Sequence, residues 1–285
     1  MTRPLVIKFG GELIEDRAHL ATAVGALSTI AATGAPLVVV HGGGKEIDGA
    51  LKAAGIEKRQ VDGLRITDEP TLDVVVSVLA GAVNTRFVAA LNTAGVRGVG
   101  LTGADALCGL SAAAPPHRTV DGRLVDLGRV GLPEADADIQ VMHTLTGGGF
   151  VPVVACIGIG RDGRLLNVNA DTFAGHLAAR LRARRLVIAG TTPGVLDGAG
   201  TTIPALGADG IARLVNEGTA TAGMIAKLRA CEQALAVGVD DVVIVDGRTA
   251  ETLAAAAASS VPAAATRLVA HTLVAQAFRP AGGQP

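Results

Sequence analysis

Lys8 closes an apolar run, Leu5-Val6-Ile7, and stands one residue before Phe9 and the pair Gly10-Gly11. An amine at that point either snorkels to solvent or faces a ligand. Ligands of open α/β sheets gather at the carboxyl ends of the strands, which favours the second reading. Leu37-Val38-Val39-Val40-His41-Gly42-Gly43-Gly44 is built alike: a buried strand, three glycines, then a helical pattern through Ile47, Ala50, Leu51 and Ala54. One glycine serves a tight strand-to-helix turn. Three bring bare backbone N–H groups to a helix N-terminus, an arrangement that suits a phosphate or a carboxylate. The loop is not a P-loop, since Glu46 follows Lys45 and Val39 occupies the first glycine position. Alternation along Asn167-Val168-Asn169-Ala170-Asp171 puts three polar side chains on one face, and Asp171 is also placed to cap a helix starting at Thr172. Lys227 falls in the first turns of a helix entered through Thr219-Ala220-Thr221-Ala222-Gly223, where a cation opposes the dipole and calls for an anion.

These residues need elements to position them. Leu5–Phe9 reads as a first strand, and a helix over about 17–33 leads to the 37–48 unit. A right-handed crossover makes the two strands parallel and puts both glycine loops on one edge of the sheet, flanking a cleft that contains Lys8. Gly63-Leu64-Arg65-Ile66-Thr67 is a short extended piece, and Asp68-Glu69-Pro70 opens a long apolar helix over about 71–94. Arg65 by spacing alone fits a plain surface arginine. Further strands are expected at 98–101, 151–154, 186–189, 240–245 and 266–270, with helices near 139–146, 223–237 and 251–258 and a hairpin with an Asp121-Gly122 turn. The loop Gly190-Thr191-Thr192-Pro193-Gly194-Val195-Leu196 is rich in hydroxyls and turn residues.

Composition narrows the classes. With 285 residues and 49% hydrophobic content the chain buries a substantial core. Its net charge of −1 and 2% aromatic content, without Trp or Tyr, speak against a nucleic-acid surface. Cys108, Cys156 and Cys231 form no CxxC, and the six histidines never fall at ligand spacing, so no metal cluster is expected. No leader and no run of ~18 apolar residues is apparent, from which a cytoplasmic protein without membrane attachment is expected. Two dinucleotide fingerprints, Gly98-x-Gly100-x-x-Gly103 and Gly158-x-Gly160-x-x-Gly163, lie within a strand and across a hairpin, not between a strand and a helix, so neither supports a Rossmann site.

Residues 5–270, taken as a series, resemble the amino-acid kinase family. The resemblance rests on Val6-Ile7-Lys8-Phe9-Gly10-Gly11, Val40-His41-Gly42-Gly43-Gly44, Gly63-Leu64-Arg65-Ile66-Thr67, Asn167-Val168-Asn169-Ala170-Asp171, Pro193-Gly194-Val195-Leu196 and Gly223-Met224-Ile225-x-Lys227. The Gly-Leu-Arg and Asn-Val-Asn-Ala-Asp pieces are similar to the branch acting on N-acetyl-L-glutamate.

The resemblance implies an α/β fold, a three-layer α/β/α sandwich around a largely parallel sheet. Its N-terminal lobe (1–180) would bind the amino acid and dimerise, and its C-terminal lobe (181–270) would bind ATP, ahead of a disordered tail (271–285). It implies transfer of the ATP γ-phosphoryl group to the side-chain carboxylate of N-acetyl-L-glutamate in arginine synthesis. Lys8 and Lys227 would stabilise the transferring group, Asp171 would orient both, and Gly11 and Gly44 would donate backbone N–H groups. Gly43, Gly44, Arg65, Asn167 and Asn169 would hold the substrate, with Arg65 bidentate on the α-carboxylate. Thr191, Thr192, Pro193, Gly194, Val195, Leu196, Thr219, Ala220, Thr221 and Gly223 would line the nucleotide site, and Mg2+ would be held mainly by ATP oxygens. The absence of a His, Cys or Ser constellation fits, because phosphoryl transfer to an ionised carboxylate needs positioning and dispersed charge rather than a base. Two positions depart from the family pattern: Thr191 where an Asp is usual, and Ala265-Thr266 where Gly-Thr is usual.

Alternatives of the same lineage are a kinase for an N-modified aminoadipate or carrier-linked substrate, and a non-catalytic amino-acid sensor. Met1-Thr2-Arg3-Pro4 is too short for the extra N-terminal helix of arginine-inhibited hexamers. The expectation is a homodimer around the 71–94 helix that arginine does not inhibit.

Overall fold

The computed structural model describes residues 2–119, 121–218, 222–258 and 260–269. Along the chain these form β1 (Leu5–Phe9), α1 (Gly11–Ile14), α2 (Arg17–Ala32), β2 (Leu37–His41), α3 (Gly44–Ala53), β3 (Gln60–Val61), β4 (Leu64–Arg65) and α4 (Glu69–Val76). A π-helical segment (Ser77–Val83) joins α4 to α5 (Asn84–Thr93), and β5 (Gly98–Thr102), β6 (Ser111–Ala113), β7 (His117–Arg118), β8 (Leu124–Val125) and β9 (Val130–Pro133) follow. Then come α6 (Gln140–Gly147), β10 (Val151–Ala155), β11 (Ile157–Ile159), β12 (Leu165–Val168), α7 (Ala170–Arg180) and β13 (Arg185–Gly190). The last elements are β14 (Ala205–Leu206), α8 (Ala208–Asn216), α9 (Ala222–Ala236), β15 (Val242–Asp246), α10 (Ala250–Ala257) and β16 (Ala265–Leu268).

Eight strands make one sheet in the order β14-β16-β15-β13-β1-β2-β10-β5, with β1 at its heart, pairing in parallel with β2 and β13. The pleat sends successive side chains to opposite faces, and the two cores follow it. Val6, Val38, Val40, Leu186 and Ile188 pack beneath α3, α7 and α9, whereas Leu5, Ile7, Val39, Val187 and Ala189 pack beneath α1, α2 and α10. The result is the expected three-layer α/β/α sandwich. The edge pair β16 and β14 breaks the parallel rule, β16 running antiparallel to β15 and β14 parallel to β16.

The apolar 69–93 helix serves both cores: Val75 and Leu79 belong to the first, Val83, Phe87 and Leu91 to the second. Its length and composition would let it cross a membrane, contrary to the sequence expectation of no such run, and 33% of that stretch is buried within the fold.

Several sequence expectations need correction. The helix after Asn167 begins at Ala170, and Asn169, not Asp171, is its cap, accepting from the Asp171 and Thr172 N–H groups. Strand alternation therefore stops at Val168: Asn167 lies on β12, Asn169 at the cap and Asp171 in the first turn of α7. The extended piece around Arg65 is the second arm of a hairpin whose turn, Asp62-Gly63, has φ of 47° and 79° at its two residues. That is the all-positive geometry for which Asp-Gly is suited. The last strand is Ala265–Leu268, shorter than expected at its carboxyl end. The hairpin expected around 158–163 is β11-β12, but its extension by β9 and β6 into a second sheet, and helix α8, have no counterpart in the sequence reading. The tail assigned to 271–285 lies outside the described residues.

Candidate active site

Because β1, β2, β10, β13 and β15 are mutually parallel, their carboxyl ends share one edge. Both glycine loops emerge there and touch. Gly42 N–H donates to Phe9 O at 3.2 Å, and Gly10 N–H to Ala189 O at 3.0 Å. A Cβ on Gly11 would lie 2.9 Å from both Gly43 Cα and Gly44 N, so only a residue without a side chain allows this approach. The N–H groups of α3 point outward beside it, and Glu15 from the end of α1 accepts from those of Lys45 and Glu46 at 3.1 and 3.2 Å. Burial, against which these bonds work, raises the Glu15 pKa.

Lys8 points from β1 to the side of α7 and α9. Its Nζ lies 2.8 Å from Asp171 Oδ1, and Lys227 Nζ, from α9, lies 3.3 Å from Asp171 Oδ2. All three are largely sequestered, with side-chain exposures of 8%, 10% and 16% for Lys8, Asp171 and Lys227. Burial opposes ionisation of Asp171, but the two ammonium groups outweigh it and hold its pKa down at about 2. Burial likewise opposes the charge on Lys8, and the Asp171 carboxylate beside it overcomes this and raises its pKa. Lys227 is pushed down by burial and by the like charge of Lys8. The trio carries one positive charge in excess, in a site walled by backbone N–H groups. The Glu12 carboxylate, folded over Gly10, also faces Lys8.

The side chain of the hairpin arginine is largely covered, 9% exposed. Arg65 Nη2 donates to Asp48 Oδ1 at 2.5 Å, and Asp48 also accepts from Lys58 at 2.6 Å. Arg65 Nη1 is buried with no hydrogen-bond partner. A buried guanidinium nitrogen in that condition is costly unless an anion completes it. Asn167 Nδ2 donates to Thr67 Oγ1 at 3.1 Å, on the same side. Asn169 spends its Oδ1 on the cap of α7.

His41, fully buried at the end of β2, braces the second glycine loop: Asn84 Nδ2 donates to its Nε2 at 2.9 Å, so Nδ1 carries the proton and donates to Gly42 O at 3.0 Å. Burial keeps the ring neutral, with a pKa lowered to about 4.

On the other flank of β1, the 190–196 loop is tied to β16. Val195 N–H donates to Thr266 Oγ1 at 2.7 Å, and that hydroxyl donates to Ile203 O at 2.7 Å. Gly194 has φ of 81°, and a Cβ on it would meet Thr266 Oγ1 at 2.5 Å. Of the Ala265-Thr266 pair, it is the threonine hydroxyl that does this work. Thr191 and Pro193 are half-buried, Thr192 is exposed and Leu196 is half-buried. Gly223 is exposed at the start of α9. Thr219, Ala220 and Thr221 lie outside the described residues.

The structure thus gathers Lys8, Asp171 and Lys227 with Gly11, Gly43 and Gly44, and sets Arg65 and Asn167 beside Thr67 and Asp48. Sequence reasoning missed Glu12, Glu15, Asp48 and Thr266, and gave His41 no role. Asp48 could have been found as the acid one helical turn beyond the glycine loop; nothing local marks Thr266. Among the described residues no group of three or more metal-ligating side chains occurs.

The profile of the amino acid kinase family matches residues 3–246. The chain is 43% identical over 251 residues to the acetylglutamate kinase of Granulibacter bethesdensis, covering 86% of this chain and 83% of that one. It is 40% identical over 255 residues to the acetylglutamate kinase of Novosphingobium aromaticivorans, with 86% and 84% covered. Among solved structures, the N-acetylglutamate synthase of Neisseria gonorrhoeae, with coenzyme A and N-acetyl-glutamate, superposes with a TM-score of 0.79 at 24% identity. That match covers 94% of this chain but 59% of the longer synthase, and is a likeness of fold.

Proposed function

This chain belongs to the amino acid kinase family, and we propose that it is a kinase that transfers the γ-phosphoryl group of ATP to the side-chain carboxylate of N-acetyl-L-glutamate. The product is N-acetyl-L-glutamyl 5-phosphate, an intermediate of arginine synthesis. The observation that carries the reading is the buried Lys8–Asp171–Lys227 trio, with its surplus positive charge set against the two touching glycine loops.

A carboxylate oxygen of the substrate attacks the γ-phosphorus, the bond from that phosphorus to the bridging β–γ oxygen breaks, and ADP departs with that electron pair. No proton moves, so no base is required. Charge spreads over the three equatorial oxygens of the transferring group. Lys8, on the strand side, serves the attacking carboxylate and those oxygens; Lys227, from the helix opposite, serves the oxygens and the leaving bridge. Asp171 keeps both amines charged and fixes their separation. Backbone N–H groups of Gly11 and Gly44 complete the cradle, as preorganised donors do for an anionic transition state.

Arg65 takes the α-carboxylate end-on through the orphan Nη1 and the second hydrogen of Nη2, the first being given to Asp48. Gly43 and Asn167 adjoin the same substrate. The nucleotide lies over Thr191–Leu196 and the start of α9 at Gly223. Glu12 is the carboxylate at hand outside the two lysine pairs, and Mg2+ would be carried mainly on the nucleotide phosphates, since that ion keeps its phosphate and water ligands. When bound, it neutralises charge on the β- and γ-oxygens.

The division of labour follows the sheet: residues 1–180 hold the amino acid and residues 181–270 the nucleotide. The 69–93 helix, apolar well beyond the share it buries, supports a homodimer around it. The three cysteines, free and buried, support a reducing cytoplasmic location. The test is purified protein with Mg-ATP and N-acetyl-L-glutamate, the acyl phosphate being trapped with hydroxylamine. ATP-dependent hydroxamate with N-acetyl-L-glutamate, and none with free glutamate or aspartate, is the expected result. ADP release without hydroxamate would refute it.

A further inference from the structure

A cavity of about 570 Å3 opens between the hairpin that carries Arg65 and the helix that carries Lys227. Lys8, Asp171 and Lys227 do not line it, so it is separate from the phosphoryl site; Arg65 and Asn167 do not line it either, and Val130, paired in register with Asn167, brings its wall to their side. Two of its wall residues nevertheless belong to the substrate grip by position: Leu64 directly precedes Arg65, and Asn169 stands between Asn167 and Asp171. Near them the wall is apolar, formed by Leu127, Val130 and Leu132, with Ile225 opposite on α9. Leu132 is 46% exposed, a large apolar side chain left open on the cavity wall. Asn169 presents a donor as well. All three hydrogen bonds to its amide oxygen come from the first turn of α7, two from backbone N–H groups and one from the Thr172 hydroxyl, which leaves Nδ2 for an acceptor.

A pocket of ~300–1,000 Å3 is the size that buries a drug-sized ligand. The single methyl of an acetyl group would leave most of this one empty. We propose that it is an acyl chamber, in which Asn169 Nδ2 donates to the carbonyl of the substrate's N-acyl group and the acyl tail lies along Leu64, Leu127, Val130 and Leu132. The chain then accepts N-acyl-L-glutamates with acyl groups longer than acetyl. This rests on the reaction given above and names the substrate class for that same site. Burial of each added methylene against an apolar wall offsets what the longer tail loses in freedom.

The experiment is the hydroxylamine trap run in parallel with N-acetyl-, N-butyryl- and N-hexanoyl-L-glutamate. The expected result is kcat/KM for the two longer substrates within about tenfold of the acetyl value. A fall of more than about a hundredfold for both, with N-acetyl-L-glutamate still turned over, overturns the chamber and leaves the reaction standing. Hydroxamate from none of the three removes the reaction itself, and the chamber with it. Two variants locate the tail. Ala114→Phe adds bulk at the cavity wall, and Leu132→Asp sets a charge on its open leucine. Each should lower the hexanoyl-to-acetyl ratio of kcat/KM by at least about tenfold, with folding followed by thermal melts. An unchanged ratio in both folded variants overturns the assignment.

Discussion

Replacing Asp171 with Asn keeps the shape of the site and removes the charge that both lysines share. In the parent, Asp171 sits 2.8 Å from Lys8 Nζ and 3.3 Å from Lys227 Nζ, behind almost complete burial. Without it, two ammonium groups face each other in a poorly hydrated site, and removing one partner of a buried ion pair costs roughly 3–5 kcal/mol. The cost has a ceiling, because a lysine can give up its proton. Neutralising an amine of ordinary pKa 10.5 at pH 7 costs about 5 kcal/mol, at about 1.4 kcal/mol per pH unit. The loss at pH 7 should therefore be roughly 3–5 kcal/mol, a large share of the ~5–15 kcal/mol that stabilises a domain. The pH dependence identifies the cause. A folded state with a neutral lysine binds fewer protons than the unfolded chain, so stability of the variant relative to the parent rises with pH, by up to about 1.4 kcal/mol per unit between pH 7 and 10. In the parent, the depressed Asp171 pKa of about 2 contributes stability that is complete above the ordinary 3.8 and is lost only as pH falls from there through 2. Urea unfolding at pH 6.5, 7.5, 8.5 and 9.5 measures the difference. A deficit that stays constant with pH would refute the argument that the trio is an electrostatic unit.

Three further outcomes follow from the same geometry. Arg65→Lys keeps the charge but loses the planar fork, so KM for N-acetyl-L-glutamate should rise at least about tenfold while KM for ATP stays within about twofold; initial-rate kinetics against each substrate separate the two. Gly11→Ala presses a methyl against backbone at 2.9 Å, where nothing flexible can yield, and should cost about 1–3 kcal/mol in urea unfolding together with a fall in kcat. His41 is neutral when folded, with a pKa of about 4 against an ordinary 6.5, so the unfolded chain binds more protons between those values and stability should drop by about 3 kcal/mol as pH falls from 6.5 to 4; His41→Asn should remove that part of the pH slope, and an unaltered slope would count against a buried neutral imidazole.

The sequence displayed the elements whose signals are local. The apolar runs at Leu5–Phe9 and Leu37–His41, with their glycines, announced both strands and the loops that meet. Lys8 and Lys227 were visible as cations in an apolar and a dipole-disfavoured place, whereas Asp171 stood out through an alternation that ends at Val168. What escaped depended on distant partners. Strands β6 and β9, three and four residues long, show no alternation and exist because they pair with each other, β9 also taking β12. Asn169 and Asp171 are both competent caps, and only the start of α7 at Ala170 decides between them. The orphan nitrogen of Arg65 could be recognised only once Asp48 was seen to occupy its neighbour.

The central position of β1 also has a consequence for synthesis of the protein. This strand, which carries Lys8, gains its first neighbour when β2 emerges, but its other edge is completed by Arg185–Gly190. At ~5–20 residues per second, the ribosome needs on the order of ten seconds to deliver the intervening chain. Throughout that interval the nascent sheet offers an unpaired edge, apolar but for Lys8, the kind of surface that joins other strands unless it is guarded. Slowing translation ahead of Arg185 should therefore raise the aggregated fraction and the dependence on trigger-type chaperones, whereas slowing it after β13 should do neither.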